Sequence, residues 1–213
     1  MTADKTLLYI QSSPRGQRSH SLAVAQAFFE SYREIHPEDE VVTLDLFSAD
    51  LPPFDGLLVS AKYNILHGQP HSSQEAAAWR RVEEVIAQFK AADKYVLATP
   101  MWNFHLPYRL KQYLDIIVQP TYTFSYSPAA GYQGLVTGKP IFIAYARGGQ
   151  YPPGTPADAF DHQTKYLELI LKFIGFTDIR GVTIEHALEA GPEIAKTKRQ
   201  QAITQAREMA NDF

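Results

Sequence analysis

The chain has 213 residues, of which 45% are hydrophobic, so it holds enough apolar material for the core of one large domain. Its formal net charge is -3 and its acidic and basic residues are interspersed, which argues against a nucleic acid or a membrane as a partner. The absence of cysteine excludes disulfides, thiolate metal ligands and cysteine-based redox chemistry.

The first residues of the chain contain one short apolar run. Within Met1 to Ser13 only Leu7 to Ile10 is continuously apolar, so we expect neither a signal peptide nor a membrane span and predict a cytoplasmic protein. This run belongs to the first predicted strand, Thr6 to Gln11. A helix is predicted to begin near Ser19 or Ser21, with Ser21 as a natural N-cap.

The middle of the chain continues this alternation of strands and helices. Val41 to Leu46 is the second predicted strand, and the segment Leu51 to Ser73, rich in Pro, Gly and Ser, predicts a long surface loop. The pattern Ser72-Ser73-Gln74-Glu75 is a capping box that predicts the start of the second helix. Lys94 to Thr99 predicts a strand buried on both faces. The third helix is predicted to begin at Pro107 and to be ended by Pro120.

The last part of the chain completes an α/β pattern. Tyr122 to Gly138 predicts an irregular or hairpin insertion, and Pro140 to Ala146 predicts the fourth strand. A fourth helix over roughly Phe160 to Ile174, a fifth strand within Thr177 to Ile184 and a last helix after Gly191-Pro192 follow. We therefore predict a single domain, residues 1–213, with a doubly wound five-stranded parallel sheet and helices on both faces.

Ligands of open parallel sheets bind beyond the carboxyl ends of the strands, so the loops after strands one, three and four are the candidates. The first, Ser12 to Ser21, reads SSPRGQRSHS and offers hydroxyls, arginines and a helix start to an anion. A merely polar turn before a capped helix is the alternative. Neither GxGxxG nor GxxxxGK[ST] is present, which favours a monophosphate over a pyrophosphate.

The other two loops offer contacts to a flat ring. Pro100 to Phe104, with the letters PMWNF, places large flat side chains beside one amide, an arrangement typical of sites for a heteroaromatic plane. Core aromatics at a strand end are the alternative. Ala146 to Gly149, with the letters ARGG, lets the backbone approach a ligand closely, although a plain turn has the same composition.

Together these loops resemble the FMN-dependent NADH-azoreductase family, and the likeness extends along nearly the whole chain. Its motifs are SSPRG-x-RSxS, PMWNF, the GLVTGK stretch from Gly134 to Lys139, and RGG. The resemblance implies a flavodoxin-like fold with strand order 2-1-3-4-5 and an FMN-dependent NAD(P)H oxidoreductase that reduces quinones and azo compounds. It also implies a homodimer with the active site at the interface, small-molecule acceptors, and NADH or NADPH as co-substrate.

The family's cofactor contacts can be placed on this sequence. The resemblance implies that the FMN phosphate is held by Ser13, Ser19, His20 and Ser21, and the isoalloxazine by Met101, Trp102, Asn103, Phe104, Ala146, Arg147, Gly148 and Gly149. Trp102 stands where the family often has tyrosine, and Ala146 where a serine frequently precedes RGG. We expect these differences to affect substrate preference more than cofactor binding.

The proposed chemistry belongs to the flavin, so no side chain is predicted to be catalytic. In a ping-pong cycle the nicotinamide gives hydride to flavin N5 and leaves, and the acceptor takes its place. Tyr63, Phe124 and Tyr126 are the predicted acceptor contacts, with packing inside an insertion or at a dimer interface as the alternative. The segments Leu51 to Ser73 and Tyr122 to Tyr132 are candidate lids.

Other residues in the sequence suggest alternative sites or functions. His67 and His71 stand four residues apart but lack further ligands nearby, so we predict no metal site. His105 and His162 stay unassigned, although a histidine near the cleft could donate a proton. A serine hydrolase is disfavoured because GxSxG is missing. The rival functions are a flavodoxin-like electron carrier and a redox-sensing FMN-binding protein.

The choice between NADH and NADPH has no dedicated motif. Arg15, Arg18 and Arg147 could read a 2′-phosphate or serve FMN.

Overall fold

The computed structural model describes residues 4–185 and 191–213. Met1 to Ala3, part of the segment in which we predict no signal peptide, lie outside the described residues. None of the described helices is both long and apolar enough to cross a membrane. In chain order the elements are β1 (Thr6–Gln11), α1 (His20–Ile35), β2 (Glu40–Asp45), α2 (Gly56–Leu66), α3 (Ser73–Ala91), β3 (Lys94–Pro100), α4 (Tyr108–Ile117), β4 (Phe124–Ser127), β5 (Gly131–Gly134), β6 (Ile141–Ala146), α5 (His162–Ile174), β7 (Ile179–Ile184) and α6 (Pro192–Ala210).

The centre of the fold is a five-stranded sheet in the order β2-β1-β3-β6-β7, with every neighbouring pair parallel. The predicted order 2-1-3-4-5 is thereby confirmed, with β6 and β7 as its fourth and fifth strands. Because all the strands run the same way, their carboxyl ends lie at one edge of the sheet. The loops after β1, β3 and β6 are consequently neighbours in space.

Alternate residues of the central strands enter two separate apolar clusters. Leu8 and Ile10 of β1 pack in one cluster with residues of α3, α4 and α5. Leu7 and Tyr9 pack in the other with residues of α1 and α6, where Phe28 stacks on Phe142 with ring centroids 4.2 Å apart. Strand side chains alternate between the two faces of a sheet, so this division follows from the two-residue period. The prediction that β3 is buried on both faces is confirmed, because each of its residues from Lys94 to Thr99 is buried.

Local signals set several helix ends where they were predicted. Ser72 and Glu75 form the reciprocal capping box at the start of α3. Gly175 ends α5 with φ of 117°, in the left-handed region that favours glycine. The predicted insertion after α4 is a hairpin, β4 and β5, which packs at this end of α5. A Cβ added to Gly134 would lie 2.3 Å from the backbone nitrogen of Gly175, so the backbone of the hairpin and the backbone at the end of α5 are in direct contact there.

The prediction of one uninterrupted loop over Leu51 to Ser73 was wrong, because α2 lies inside it. Asp55 is its N-cap and accepts hydrogen bonds from the backbone nitrogens of Leu57 and Leu58. Within α2 only Leu58 and Ala61 are buried, while Leu57, Val59, Tyr63 and Leu66 are exposed. Apolar residues therefore surround the helix, and they obscure the three-and-four spacing of Leu58, Ala61 and Ile65, which face the core.

The contact between the hairpin and α5 can be tested with a single methyl group. We expect Gly134→Ala to lower the free energy of unfolding by about 1–3 kcal/mol, since the added carbon meets backbone that cannot move aside. Urea denaturation measures the loss. Gly56→Ala is the matched control, because a Cβ there meets nothing within 4 Å. Equal stability of the two variants would contradict the described packing.

Candidate functional site

A cleft of about 210 Å³ lies where the three predicted loops meet at the carboxyl edge of the sheet. Backbone hydrogen bonds tie these loops together. Ser12 donates to the carbonyl of Ala98 from both its nitrogen and its hydroxyl, each at 2.9 Å, and Met101 donates to the carbonyl of Ala146 at 2.7 Å. The cleft is lined by Ser13, Arg15, Ser19, His20, Pro100, Met101, Trp102, Ala146, Arg147 and Gly148.

The first loop ends in the capped start of α1. Ser19, and not Ser21 as predicted, is the N-cap, and its hydroxyl accepts from the backbone nitrogen of Leu22 at 3.4 Å. Ser21 is fully buried one residue inside the helix, where its hydroxyl lies 3.2 Å from that of Ser19. Ser21 therefore supports Ser19 and does not line the cleft. Ser19 and His20 meet the cleft at a helix N-terminus, which attracts anions.

Three buried polar atoms of the cleft residues have no hydrogen-bond partner: Ser13 Oγ, His20 Nδ1 and Arg147 Nε. Such orphaned atoms are costly and point to a missing partner. A larger cleft of about 460 Å³, lined mainly by residues of α1 and α6, contains none of the orphaned atoms found in the described residues. A third cavity, about 120 Å³ between α5 and β7, contains two, but it is far smaller than ligand pockets usually are.

The electrostatics of the first loop favour an anion. Burial lowers the pKa of His20 below its usual value, and the positive charges of Arg199 and Arg15 lower it further. His20 is therefore neutral at pH 7, with one ring nitrogen buried and unpaired. A negative group placed in the cleft would offset this repulsion and supply a partner for the ring.

The second loop is a tight turn held in a rare backbone conformation. Trp102 and His105 exchange two backbone hydrogen bonds of 2.9 Å, and between them Asn103 and Phe104 have φ of 48° and 68°. Positive φ is uncommon for residues other than glycine, and strain of this kind concentrates at functional sites. The turn holds the Trp102 indole at the cleft, where Phe47 packs on it with ring centroids 5.7 Å apart.

The third loop is fixed by a buried arginine. Arg147 donates to Asp161 at 2.8 Å and to Glu185 at 2.7 Å, and only 9% of its side chain is exposed. Both terminal nitrogens of the guanidinium are thereby used. Of the three arginines predicted as candidates for a 2′-phosphate contact, Arg15 and Arg18 are exposed, whereas Arg147 is committed to these carboxylates.

The structure thus brings together most of the predicted cofactor residues and adds one. Pro100 lines the cleft and was missed, although it stands inside a loop that had been singled out, whereas Arg15, which also lines the cleft, had been named as a contact to FMN or to a 2′-phosphate. Predicted residues that belong to the same loops but do not line the cleft are Ser21, Asn103, Phe104 and Gly149. The carboxylates that hold Arg147 were also missed, because nothing local marks Glu185 as its partner.

The predicted acceptor residues lie away from the cleft. Phe124 and Tyr126 are in the hairpin, and Phe124 packs on Phe173 with ring centroids 4.8 Å apart. Phe173 is near the end of α5, 11 residues after the first residue of the helix, which puts it about 17 Å from the end of α5 beside the cleft. Tyr63 is 55% exposed on α2, with its ring parallel to that of His67.

The histidines weighed as candidates from the sequence, His67, His71, His105 and His162, do not line the cleft. His105 packs against Tyr166 with ring centroids 5.0 Å apart, and burial lowers its pKa, with His162 and Lys111 lowering it further. His71 Nε2 lies 2.8 Å from the carbonyl of Ala61. Across residues 4–185 and 191–213, no three His, Asp or Glu side chains cluster as they would around a metal ion.

Comparisons with known proteins agree with this arrangement. A family model described as flavodoxin-like fold matches residues 5–210. The FMN-dependent NADH:quinone oxidoreductase of Nitratidesulfovibrio vulgaris (strain DP4) is 55% identical over 98% of this chain and 99% of its own. That of Desulfotalea psychrophila is 45% identical over 95% of this chain and 97% of its own.

Solved structures agree as well. The azoreductase from Bacillus anthracis str. Sterne superposes with a TM-score of 0.89 at 31% identity, covering 98% of this chain and 100% of that one. An FMN-dependent NADH-azoreductase from Bacillus anthracis str. Ames Ancestor, solved in complex with FMN, gives a TM-score of 0.84 at 27% identity, covering 97% and 99%.

The anion site can be tested through His20. We expect saturating inorganic phosphate to raise the pKa of His20 towards its usual value, because the anion offsets the charges of Arg199 and Arg15. Proton NMR of the ring across pH 5 to 8, assigned with His20→Asn, measures this change. His36, which is not among the cleft residues, is the internal control. A His20 pKa that stays constant or falls would contradict an anion site.

Proposed function

This chain belongs to the flavodoxin-like fold family, and from that premise we propose that it is an FMN-dependent enzyme that oxidises NADH and reduces quinones. Azo compounds are the second acceptor class that we propose, since azoreductases are among the similar structures. The whole length of the relatives is matched, so the proposal concerns the same unit that carries their activity.

One observation carries this proposal: the orphaned polar atoms of Ser13, His20 and Arg147 belong to residues of one cleft that also presents the Trp102 indole. FMN has an anionic phosphate at one end and a flat heteroaromatic ring at the other, and the cleft offers a partner to each. Ser13, Ser19 and His20 fit the phosphate, with the N-terminus of α1 behind them.

The ring end of the cleft fits the isoalloxazine. Trp102 and Met101 offer apolar surface, and Gly148 lets the backbone come close to a ligand. When bound, FMN supplies the redox chemistry, accepting hydride from NADH at N5 and passing two electrons to the acceptor in a ping-pong order. The backbone amide of Gly148, which lines the cleft, would stabilise negative charge on the ring, whereas Gly149 and Asn103, predicted to share this role, do not line it.

We also propose that a second copy of the chain completes the site. The cleft of about 210 Å³ is smaller than the pockets that usually enclose cofactors, so a ligand in it stays open to one side. The exposed aromatic residues Tyr63 and Tyr126 lie outside this chain's own cleft. As predicted acceptor contacts, together with Phe124, they would have to act in the cleft of the partner copy.

Cofactor binding is tested first. We expect the purified protein to bind FMN with yellow absorbance, and Ser13→Ala to weaken its affinity roughly ten- to a hundredfold, because a hydrogen bond to a charged group is worth about 1.5–3 kcal/mol. Quenching of FMN fluorescence measures the dissociation constant. Ser127→Ala, at the exposed hairpin tip, is the control. A protein that is colourless after incubation with FMN and removal of the unbound cofactor by gel filtration would reject the proposal.

Turnover with NADH and an acceptor distinguishes an enzyme from an electron carrier or a redox-sensing FMN-binding protein. We expect the FMN-loaded protein to oxidise NADH with menadione as acceptor, and with methyl red for the azo class, both followed by absorbance. If the protein oxidises NADH with menadione but not with methyl red, azo compounds are excluded as acceptors and the quinone reductase proposal stands. Flavin binding without any NADH oxidation would instead indicate an electron carrier or a redox-sensing protein.

The oligomeric state has a direct readout. Light scattering on the eluted peak should give twice the 24.0 kDa mass of one chain. A single-chain mass at assay concentrations, in a protein that still turns over, would reject completion of the site by a second copy.

A further inference from the structure

Arg147 belongs to a buried cluster with unequal charges. Its guanidinium lies between the carboxylates of Asp161 and Glu185, at 2.8 Å and 2.7 Å. The side chains of Arg147 and Asp161 are each 9% exposed, and that of Glu185 is 23% exposed. One cation thus faces two anions, so this triad has a formal excess of one negative charge in a place where water screens it poorly.

The triad reaches the cleft through Arg147 and fixes the glycine loop of the cleft. Arg147 lines the cleft and its backbone nitrogen donates to the carbonyl of Ile184 at 2.9 Å. Asp161 also caps α5, accepting from the backbone nitrogen of Thr164 at 2.9 Å. The ring of Tyr151 covers the guanidinium at 5.3 Å. Through these contacts the loop that begins at Gly148 is joined both to α5 and to the end of β7.

A purely structural ion pair needs only one carboxylate to neutralise its arginine. Here the second carboxylate adds charge that a buried cluster does not need for its own stability. In addition, Arg147 Nε is buried without a partner, so the guanidinium has a donor still free on a residue of the cleft wall. The second carboxylate and the unpaired Arg147 Nε both determine the charge that the triad presents near the cleft.

We infer that the Arg147–Asp161–Glu185 triad sets the reduction potential of the flavin, with Arg147 raising the potential and the two carboxylates lowering it. The inference rests on the proposed function. Hydride from NADH brings two electrons and one proton, so NAD⁺ leaves and the flavin ring gains one negative charge. A quinone then takes the hydride equivalent and one proton from solvent, which yields the hydroquinone and restores the oxidised ring.

The physical reason is the sign of the local charge. An anionic ring is disfavoured by a neighbouring excess of negative charge and favoured by a fixed cation, and charge near the ring is one of the means by which proteins tune flavins. An excess of one negative charge therefore keeps the bound flavin a stronger reductant than it would be beside a neutral pair. The three members of the triad act in opposite directions, which a merely structural role would not produce.

The experiment measures the midpoint potential of bound FMN in the wild-type holoprotein and in charge variants. We expect Asp161→Asn and Glu185→Gln to raise the potential, Asp161→Asn more because Asp161 is more buried. Asparagine can still cap α5. Arg147→Gln should lower the potential, and Arg147→Lys, which keeps the charge, should stay close to wild type. For Asp161→Asn, Glu185→Gln and Arg147→Gln, the equilibrium constant of flavin reduction should change about tenfold, which is about 30 mV for a two-electron couple.

Glu168→Gln is the matched control, because it removes a carboxylate of α5 that pairs with Lys172 on the surface, and its potential should not change. Shifts of the same sign for Arg147→Gln and Asp161→Asn, or no shift in either carboxylate variant, would overturn the inference while leaving FMN binding intact. If Arg147→Gln fails to fold, the two carboxylate variants and Arg147→Lys still decide it. A wild-type protein that binds no FMN overturns the inference together with the proposed function.

Discussion

Parallel hydrogen bonding of β1, β3 and β6 is the constraint on which the site depends. These strands are buried on both faces, so their register cannot slip without moving apolar side chains out of both clusters. With the register fixed, the three following loops must share one edge of the sheet. Hydrogen bonds from Ser12 to Ala98 and from Met101 to Ala146 then hold the loops against each other.

The loops themselves are less stable than the sheet that carries them. Unpartnered polar atoms on Ser13, His20 and Arg147 and positive φ at Phe104 each cost free energy in the unliganded chain. The apolar clusters can support such costs because they bury large side chains from every central strand. Strain and unpaired donors lie together at one edge, which is the arrangement expected of a preformed ligand site.

Charge is distributed unevenly along this edge. The first loop is cationic, with Arg15, Arg18 and the nearby Arg199, and it suits a phosphate. The third loop is backed by the Arg147 triad, whose formal charge is negative. Because the two loops are joined through β3, one ligand can meet both environments at once. The first loop would then attract the anionic end of the ligand, while the negative charge of the triad would disfavour added negative charge at the other end.

The sequence alone determined the strands of the central sheet and the loops that form the cleft, because a two-residue period, a capping box and a glycine after a helix are local signals, while the strand order was implied by the family resemblance. It did not reveal α2, whose apolar residues surround the helix, or Asp161 and Glu185 as partners of Arg147, which stand 14 and 38 residues away. Only the tertiary structure decided these, because burial and ion pairing depend on which distant segments the folded sheet brings together.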